Sequence, residues 1–575
     1  MGTVIRNPVA FELFHNALDT IVNDMSVVVV STAYSQIVRD AMDFSTGLCD
    51  HKGRLVAQGL GISFHLGAIP GALDAVIKTF TGDINAEDVF ILNDPYQGGM
   101  HLPDIFMFKP VFEHDLLLGF TVVIAHQADI GGRVPGGNAA DSTEIFQEGL
   151  RIPPVKWIER GVPNTTMRRM LATNVRLPEL VLGDLASQLS ACHHGEKQLL
   201  ALYRKHGSQM LELFEELLDY TELRSKQTIS DVPDGTYFFE DWLDDNGITS
   251  DPVRICVTIT VNQDAMKVDF AGTSGQVPGA INCPSGYVRA AVYSAMRFIM
   301  RDDCPNNEGF FRPIEVICPE GSVVNPRFPA AVAARGITGY RVADAVLGAL
   351  GQAVPDKGIA ANWGGGTILV IGGRRDNGLP FVLTESIHGN WGARAGKDGI
   401  EGVAHPMSNL SNNSVEQLEA NFPVQVSEYG FVSDTCGAGK YRGGLALKRA
   451  IRLLEGQAVL QVRADRLQYA PWGLGGGLPG TLTTNFLNTD GKKITLGGKL
   501  TRPLLKGEEF IHVTAGAGGF GDPLERDPEQ VWEDLLDEKI SVSSAQHQYA
   551  VVVCDAGVDL LETAKLRARR KSNLI

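Results

Sequence analysis

The sequence lacks paired cysteines. Its eight cysteines are scattered from Cys49 to Cys554 with no CxxC spacing, which speaks against a disulfide framework and against a cysteine-ligated metal site. It also lacks basic charge. The net charge is −16 at pH 7, and such a surface repels nucleic acid and anionic membrane alike. Long apolar runs are missing too. "LLLGFTVVIA" and "SVVVV" fall far short of the roughly 20 residues that cross a bilayer. The opening "MGTVIRNPVAFELFHNALDTIV" has acidic and polar residues where a secretion signal needs an apolar block. No GxxxxGK[ST] phosphate loop occurs in the chain. These absences predict a reduced, cytoplasmic, soluble protein with no nucleic-acid or membrane partner and no Walker-type nucleotide site of its own.

What is present is apolar mass and glycine. An apolar fraction of 44% over 575 residues supports a sizeable core. Glycine reaches 64 residues, above a usual share of about 7%, and implies many tight turns. From Pro8 to Met42 the apolar residues Phe11, Phe14, Leu18, Ile21 and Val22 recur at helical spacing. "DFSTGLCDHKGRLVAQG" reads as two short strands around a turn, and "GALDAVIKTF" as a short helix. Residues from about Leu177 to Lys226 are mostly helical. Alternating strands follow in "VRICVTITV" and "MKVDFAGTS", then helices in "GYVRAAVYSAMRFIM" and "GYRVADAVLGALGQAV". The expected fold is mixed α+β: several mainly antiparallel sheets with flanking helices, rich in loops and glycine. Four units are expected: 1–228, α+β and bearing the site; 229–357, α+β; 358–527, glycine-rich β; and 528–575, a helical tail with a basic end.

The stretch Asn93–Phe106, "NDPYQGGMHLPDIF", places two carboxylates and an imidazole around a Gly-Gly turn. The strands "IFMFKPVF" and "LLLGFTVVIAH" flank a turn near His114 and Asp115. In such an antiparallel hairpin Asp104 falls opposite Ala125 or His126, and paired β-carbons stand about 5 Å apart. His101, three residues before Asp104, can fold over the same spot. Pro110 in the first strand raises the alternative of a bulge that shifts the register by one. Two imidazoles and a carboxylate make three metal ligands, and Asp43 is a candidate fourth. An N2O2 set suits Zn, Mn or Fe(II) better than Mg or Ca. An open position would hold water, whose pKa a metal lowers from 15.7 to about 7. The bland alternative is ordinary polar loop chemistry.

Other motifs are weaker. Asp129 in "HQADIGG" is a partner for the site or a general base, and equally a turn-stabilising Asp. His65 is a pocket residue or a satisfied core histidine. "AGAGGFGDP" reads as a tight structural turn. Lys440 and Arg442 in "CGAGKYRGG" can meet an anion or sit as turn charges. Cys49 has no evident base beside it and is not expected to be a nucleophile.

The blocks "DFSTGLCDHKGRLVAQG", "FHLGAIPGAL", "NDPYQGGMHLPDIF", "HQADIGG", "QEGLRIPP", "VPGAINCP", "FPAAVAAR", "GAGKYRGG" and "TAGAGGFGDPLERDP" occur in this order. Together they resemble the hydantoinase B / oxoprolinase B family, over about residues 8 to 560. Its relatives include the ATP-dependent hydantoinases and lactamases, the C-terminal half of 5-oxoprolinase and the α subunit of acetone carboxylase. One departure is Cys436, where the family's block usually reads Ser-Gly-Gly-Ala-Gly.

The resemblance implies a division of labour. A larger partner of the hydantoinase A type binds ATP and Mg and phosphorylates a carbonyl, and the chain seen here completes the chemistry at a divalent metal. It implies ligands at Asp43, His101, Asp104 and His126, with Asp129 orienting or deprotonating water. It implies hydrolysis of a cyclic amide (a hydantoin, oxoproline or lactam) within an α2β2 hetero-oligomer. Two rival expectations stand beside it: an α-type subunit of an ATP-dependent acetone or acetophenone carboxylase, and a non-catalytic scaffold for an ATPase.

Overall fold

In the computed structural model, which describes residues 5–59, 61, 63–65, 67–300, 304–364, 366–554 and 557–573, the first helix spans Pro8–Thr32. Asn7 caps it by accepting from the Ala10 amide at 3.2 Å, and Phe11, Phe14, Leu18, Ile21 and Val22 form its buried stripe. The helix stops well before Met42. Ala33 turns extended, and the amides of Tyr34 and Ser35 donate to Asp184 instead of continuing the ladder.

The strands that follow are β1 (Phe44–Asp50), β2 (Leu55–Gln58), β3 (Val89–Leu92), β4 (Asp104–Glu113), β5 (Leu116–His126), β6 (Val155–Glu159) and β7 (Val162–Pro163). They form one sheet in the order β2-β1-β5-β4-β3-β6-β7, and every pairing in it is antiparallel. Its strands read as near-continuous apolar runs because both faces are covered. Ile105, Met107, Val123 and Ala125 join the core under the first helix and the helix Pro178–His206. Phe106, Phe108, Val122 and Ile124 join the opposite core. Asp104 pairs with His126 in the β4–β5 ladder. The bulge lies between Val111 and Phe112, near the turn, so it leaves the register at the Asp104 end untouched.

Next come β8 (Gly235–Leu243), β9 (Val253–Asn262), β10 (Ala265–Asp269) and β11 (Ile314–Ile317), a four-stranded sheet in which only the β10–β11 pair is parallel. The glycine-rich part supplies β12 (Thr367–Arg374), β13 (Pro380–Ile387), β14 (Val424–Val432), β15 (Ala446–Leu453), β16 (Gln457–Arg463), β17 (Thr484–Thr489), β18 (Lys492–Leu496), β19 (Lys499–Leu505) and β20 (Glu509–Val513). These make two antiparallel sheets, β13-β12-β16-β19 and β14-β15-β20-β17-β18. The architecture is mixed α+β.

The helix Arg335–Ala353 is buried along almost its whole length. Arg341 on it donates to Asp465, and Asp344 accepts from Arg466 at 3.0 Å. These buried charge pairs tie the helix to the chain just past β16. A single apolar cluster includes Phe106 of β4, Ile255 of β9 and Val342 of this helix. The ends of β1, β4 and β5 therefore face the ends of β12, β13 and β16 with the start of this helix between them. No helix of the described residues is long and apolar enough to cross a membrane.

Candidate metal centre

Asp104 opens β4 and His126 closes β5, so the ladder that pairs them sets both at one sheet edge. His126 Nδ1 lies 3.1 Å from Asp104 Oδ1. The turn Pro95–Gln97 swings the chain back, with Gly98 at φ +95°, and brings His101 Nε2 to 3.0 Å from the same Asp104 oxygen. Asp43, just before β1, places Oδ2 3.9 Å from His126 Nδ1. Its carbonyl accepts the His126 amide at 3.0 Å, which locks the two strand ends together. The four residues expected as ligands thus come together. His65 joins them: ligand atoms of Asp43, His65 and Asp104 lie within 4.8 Å of one another, as do those of His101, Asp104 and His126. His65 is also a satisfied core histidine, with Nδ1 2.8 Å from Ser45 Oγ.

The chemistry of these atoms fits a cation. His101 Nδ1 faces the Ala333 carbonyl at 3.4 Å, which fixes the ring and leaves Nε2 as the lone-pair nitrogen. That Nε2 is buried and makes no hydrogen bond of good geometry, although Asp104 Oδ1 stands 3.0 Å away. Burial, reinforced by Arg335, holds His101 well below the usual imidazole range, so it is neutral and able to ligate. Burial pushes the Asp104 carboxyl up, but the charges and hydrogen bonds around it, the Arg335 guanidinium among them, hold it well below the usual range. Arg335 donates to Asp104 Oδ2 at 2.6 Å. Burial pushes Asp43 up to about 6, with Asp104 adding to the rise and His126 opposing it. Two imidazoles and two carboxylates suit Zn, Mn or Fe(II).

A hydantoinase B/oxoprolinase family model matches residues 7–523. The chain belongs to this family. It is 32% identical over 582 residues to the B component of a putative D-/L-hydantoinase from a Pseudomonas species, covering 98% of each chain. The crystal structure of the ATP-dependent caprolactamase from Pseudomonas jessenii matches with a TM-score of 0.91 at 31% identity, over 98% of this chain and 99% of that one. A nucleotide-free acetone carboxylase structure matches with a TM-score of 0.93 at 20% identity, over 99% of this chain and 84% of that one; this likeness concerns the fold alone.

In this member of the hydantoinase B/oxoprolinase family the cluster opens into a cavity of about 40 Å³, room for roughly three ordered waters. Much of the wall comes from distant sequence. Arg335 and Gly336 begin the long buried helix, Arg463 ends β16, and His388 follows β13. Tyr287 and Tyr340 complete it, with Phe64 stacked on Tyr287 at 4.6 Å and edge-on to Tyr340 at 4.8 Å. His388 is buried with neither ring nitrogen hydrogen-bonded, and burial, with nearby His405, lowers it to about 3. None of these was singled out from the sequence as a site residue. The signal available was the Arg at the end of "FPAAVAAR" and the lone His in "SIHGNWG".

Asp129 is not brought to the cluster. Positive φ at Gly131 and Gly132 turns the loop away, and both carboxylate oxygens are engaged. They accept from the amides of Gly131 (3.1 Å), Gly136 (2.9 Å) and Arg176 (2.7 Å) and from Arg176 Nη1 (3.1 Å). Its surroundings are those of a loop clasp, not of a free base. Arg442 is likewise no anion site: it is buried and paired with Glu401 and, at 2.8 Å, with Asp534. Burial raises the Cys49 thiol well above its usual range, in keeping with an inert core cysteine.

Proposed function

We propose that this chain is the metal-bearing subunit of an ATP-dependent cyclic-amide hydrolase, acting on a hydantoin, oxoproline or lactam ring. A hydantoinase A-type partner uses ATP and Mg to phosphorylate the ring carbonyl oxygen, and the two subunits assemble as a hetero-oligomer with two copies of each. The O-phosphorylated imidate has lost the amide resonance that protects the ring, and phosphate is a good leaving group. This chain completes its hydrolysis. The observation that carries the reading is the convergence of His101 Nε2 and His126 Nδ1 on Asp104 Oδ1 at the wall of a buried cavity.

Asp43, His101, Asp104 and His126 would hold the ion. When bound, a divalent ion supplies Lewis acidity and acidifies water. The chain's own groups do the rest. Arg335 keeps Asp104 ionised and oriented. The Ala333 carbonyl sets the His101 tautomer. Burial of the whole cluster excludes bulk water and strengthens each charge interaction. We assign to His388, whose two ring nitrogens have no partner, the role of a neutral hydrogen-bond partner that orients the attacking water, rather than giving that role to Asp129.

The test is co-expression with an A-type partner, followed by turnover of hydantoin, 5-oxoproline and caprolactam with and without ATP. ATP-dependent ring opening by the pair, and none by the isolated chain, is expected. Full-rate opening by the isolated chain without ATP would sink the division of labour. Bicarbonate-dependent consumption of a ketone, with no ring opening, would assign the carboxylase reaction instead.

A further inference from the structure

Arg463 is a buried cation with no ion-pair contact among the described residues, although Asp43 of the same cavity acts on it at longer range. It is 5% exposed. Its Nη1 donates to the Ala333 carbonyl at 2.8 Å, while its Nε has no partner. Among the described residues no carboxylate lies within ion-pair distance of it, although Asp104, in the same cavity, is paired with Arg335. A lone guanidinium out of water is unfavourable unless something anionic meets it.

The surroundings are built to admit such a group. The helix Arg335–Ala353 begins at this cavity, and its N-cap residue Ala334 provides no side-chain cap, so the positive end of the helix dipole faces the space. A Cβ added at Gly336 would stand 3.6 Å from Arg463 Nη2 and 3.8 Å from the Tyr287 hydroxyl. Glycine there leaves room beside the guanidinium. Charge count points the same way. The cavity holds two carboxylates (Asp43, Asp104) and two guanidiniums (Arg335, Arg463), so a divalent ion would leave two positive charges in excess. That matches a dianion.

We propose that Arg463, with the start of the helix at Gly336 and the Tyr287 hydroxyl, forms a phosphate subsite beside the metal cluster. The inference rests on the reading above and deepens it. The ligand is a tetrahedral phosphate dianion, either the phosphoryl group of the delivered intermediate or the phosphate released from it. Arg463 holds it so that the activated carbon lies over the cluster. Water adds to the activated carbon of the carbonyl-phosphorylated intermediate, and both of its protons end on the ring nitrogen as the carbonyl re-forms and the C–N bond breaks with its electron pair on nitrogen. The opened ring is an acyl phosphate. A second water then displaces phosphate, the C–O bond breaking with its electron pair on phosphate, one proton passing to phosphate and the other to the free amine.

Isothermal titration of the metal-loaded full chain with inorganic phosphate tests the subsite directly. Arg463→Gln should weaken phosphate at least tenfold and Arg463→Lys should recover part of the loss, with metal content unchanged as the folding control. Gly336→Ala, which fills the space without removing charge, should also weaken it. Turnover with the partner separates the two sources. A raised KM with phosphate inhibition also weakened means that intermediate and product share the subsite. Weakened phosphate inhibition with KM and kcat intact means that it takes only the product. Phosphate affinity unchanged in both Arg463→Gln and Gly336→Ala, or no phosphate binding by the metal-loaded wild type, would overturn the inference. Those results would leave ATP-dependent ring opening intact, whereas loss of ring opening with phosphate binding retained would count against the proposed reaction alone.

Discussion

Replacing Arg335 by Met keeps the length of the side chain and removes its charge. Arg335 and Asp104 are a 2.6 Å ion pair with side chains 6% and 1% exposed. Breaking a buried pair by deleting one partner costs about 3–5 kcal/mol, because the other charge stays buried and uncompensated. Here the stranded charge is the Asp104 carboxylate, at the centre of the proposed ligand cluster. In chelator-treated protein the full cost should appear. At roughly 2–4 °C per kcal/mol for a unit of 150–250 residues, Arg335→Met should melt about 10 °C below wild type. A bound divalent ion gives Asp104 a second counter-charge, so reloading should close most of that gap. Scanning calorimetry of both proteins, chelated and reloaded, gives the four melting points. An equal drop in both states, or no drop in either, would refute the claim that Arg335 and an ion share one carboxylate.

Other consequences are narrower. His388→Ala should lower kcat by roughly 100-fold through loss of water positioning with metal content unchanged, whereas Asp129→Asn, which weakens a four-bond loop clasp, should lower the melting point and leave kcat within a few fold; the reverse pattern would give the role to Asp129. Gly99→Ala would put a Cβ 2.5 Å from the Asn93 carbonyl oxygen and displace the turn that carries His101, so metal affinity should fall tenfold or more, read by competition with a fluorescent chelator. His512 is buried, with Nδ1 2.7 Å from Asn485 Oδ1, and burial lowers it to about 3. The unfolded chain gains that proton below about 6.5 and the native state does not. Its contribution is therefore intact above pH 6.5 and lost as pH falls towards 3, about 2 kcal/mol between pH 6.5 and 5. Denaturant titrations should show a shallower acid loss in His512→Gln, and parallel profiles would contradict the assignment.

The sequence carried the local half of the candidate site. Asp104 and His126 were legible because a hairpin of two apolar strands has one register, and the Val111/Phe112 bulge falls on the turn side of it. His101 follows from its three-residue spacing to Asp104. The other half was not legible, since Arg335 lies 231 residues from Asp104 and no periodicity links a helix start to a strand start that far away. The same holds for Arg463 and His388, which sit at the ends of strands whose sheet packs across the cavity. Asp129 misled for the opposite reason. It is close to His126 in sequence, but the two positive-φ glycines after it fold the loop onto Arg176. The first helix ended early because Asp184, in a helix far along the chain, takes the amides of Tyr34 and Ser35. Tertiary partners, not propensity, set that boundary.

The proposed metal-bearing role requires the cluster to bind an ion. Wild type and His126→Ala should be purified side by side from cells supplied with Zn, Mn and Fe, and their metal content per chain measured by elemental mass spectrometry. About one Zn, Mn or Fe per wild-type chain, lost in His126→Ala, is the result expected from Asp43, His101, Asp104 and His126 acting as one ligand set. No metal in either protein would contradict the metal-bearing role and favour a scaffold for the ATP-binding partner.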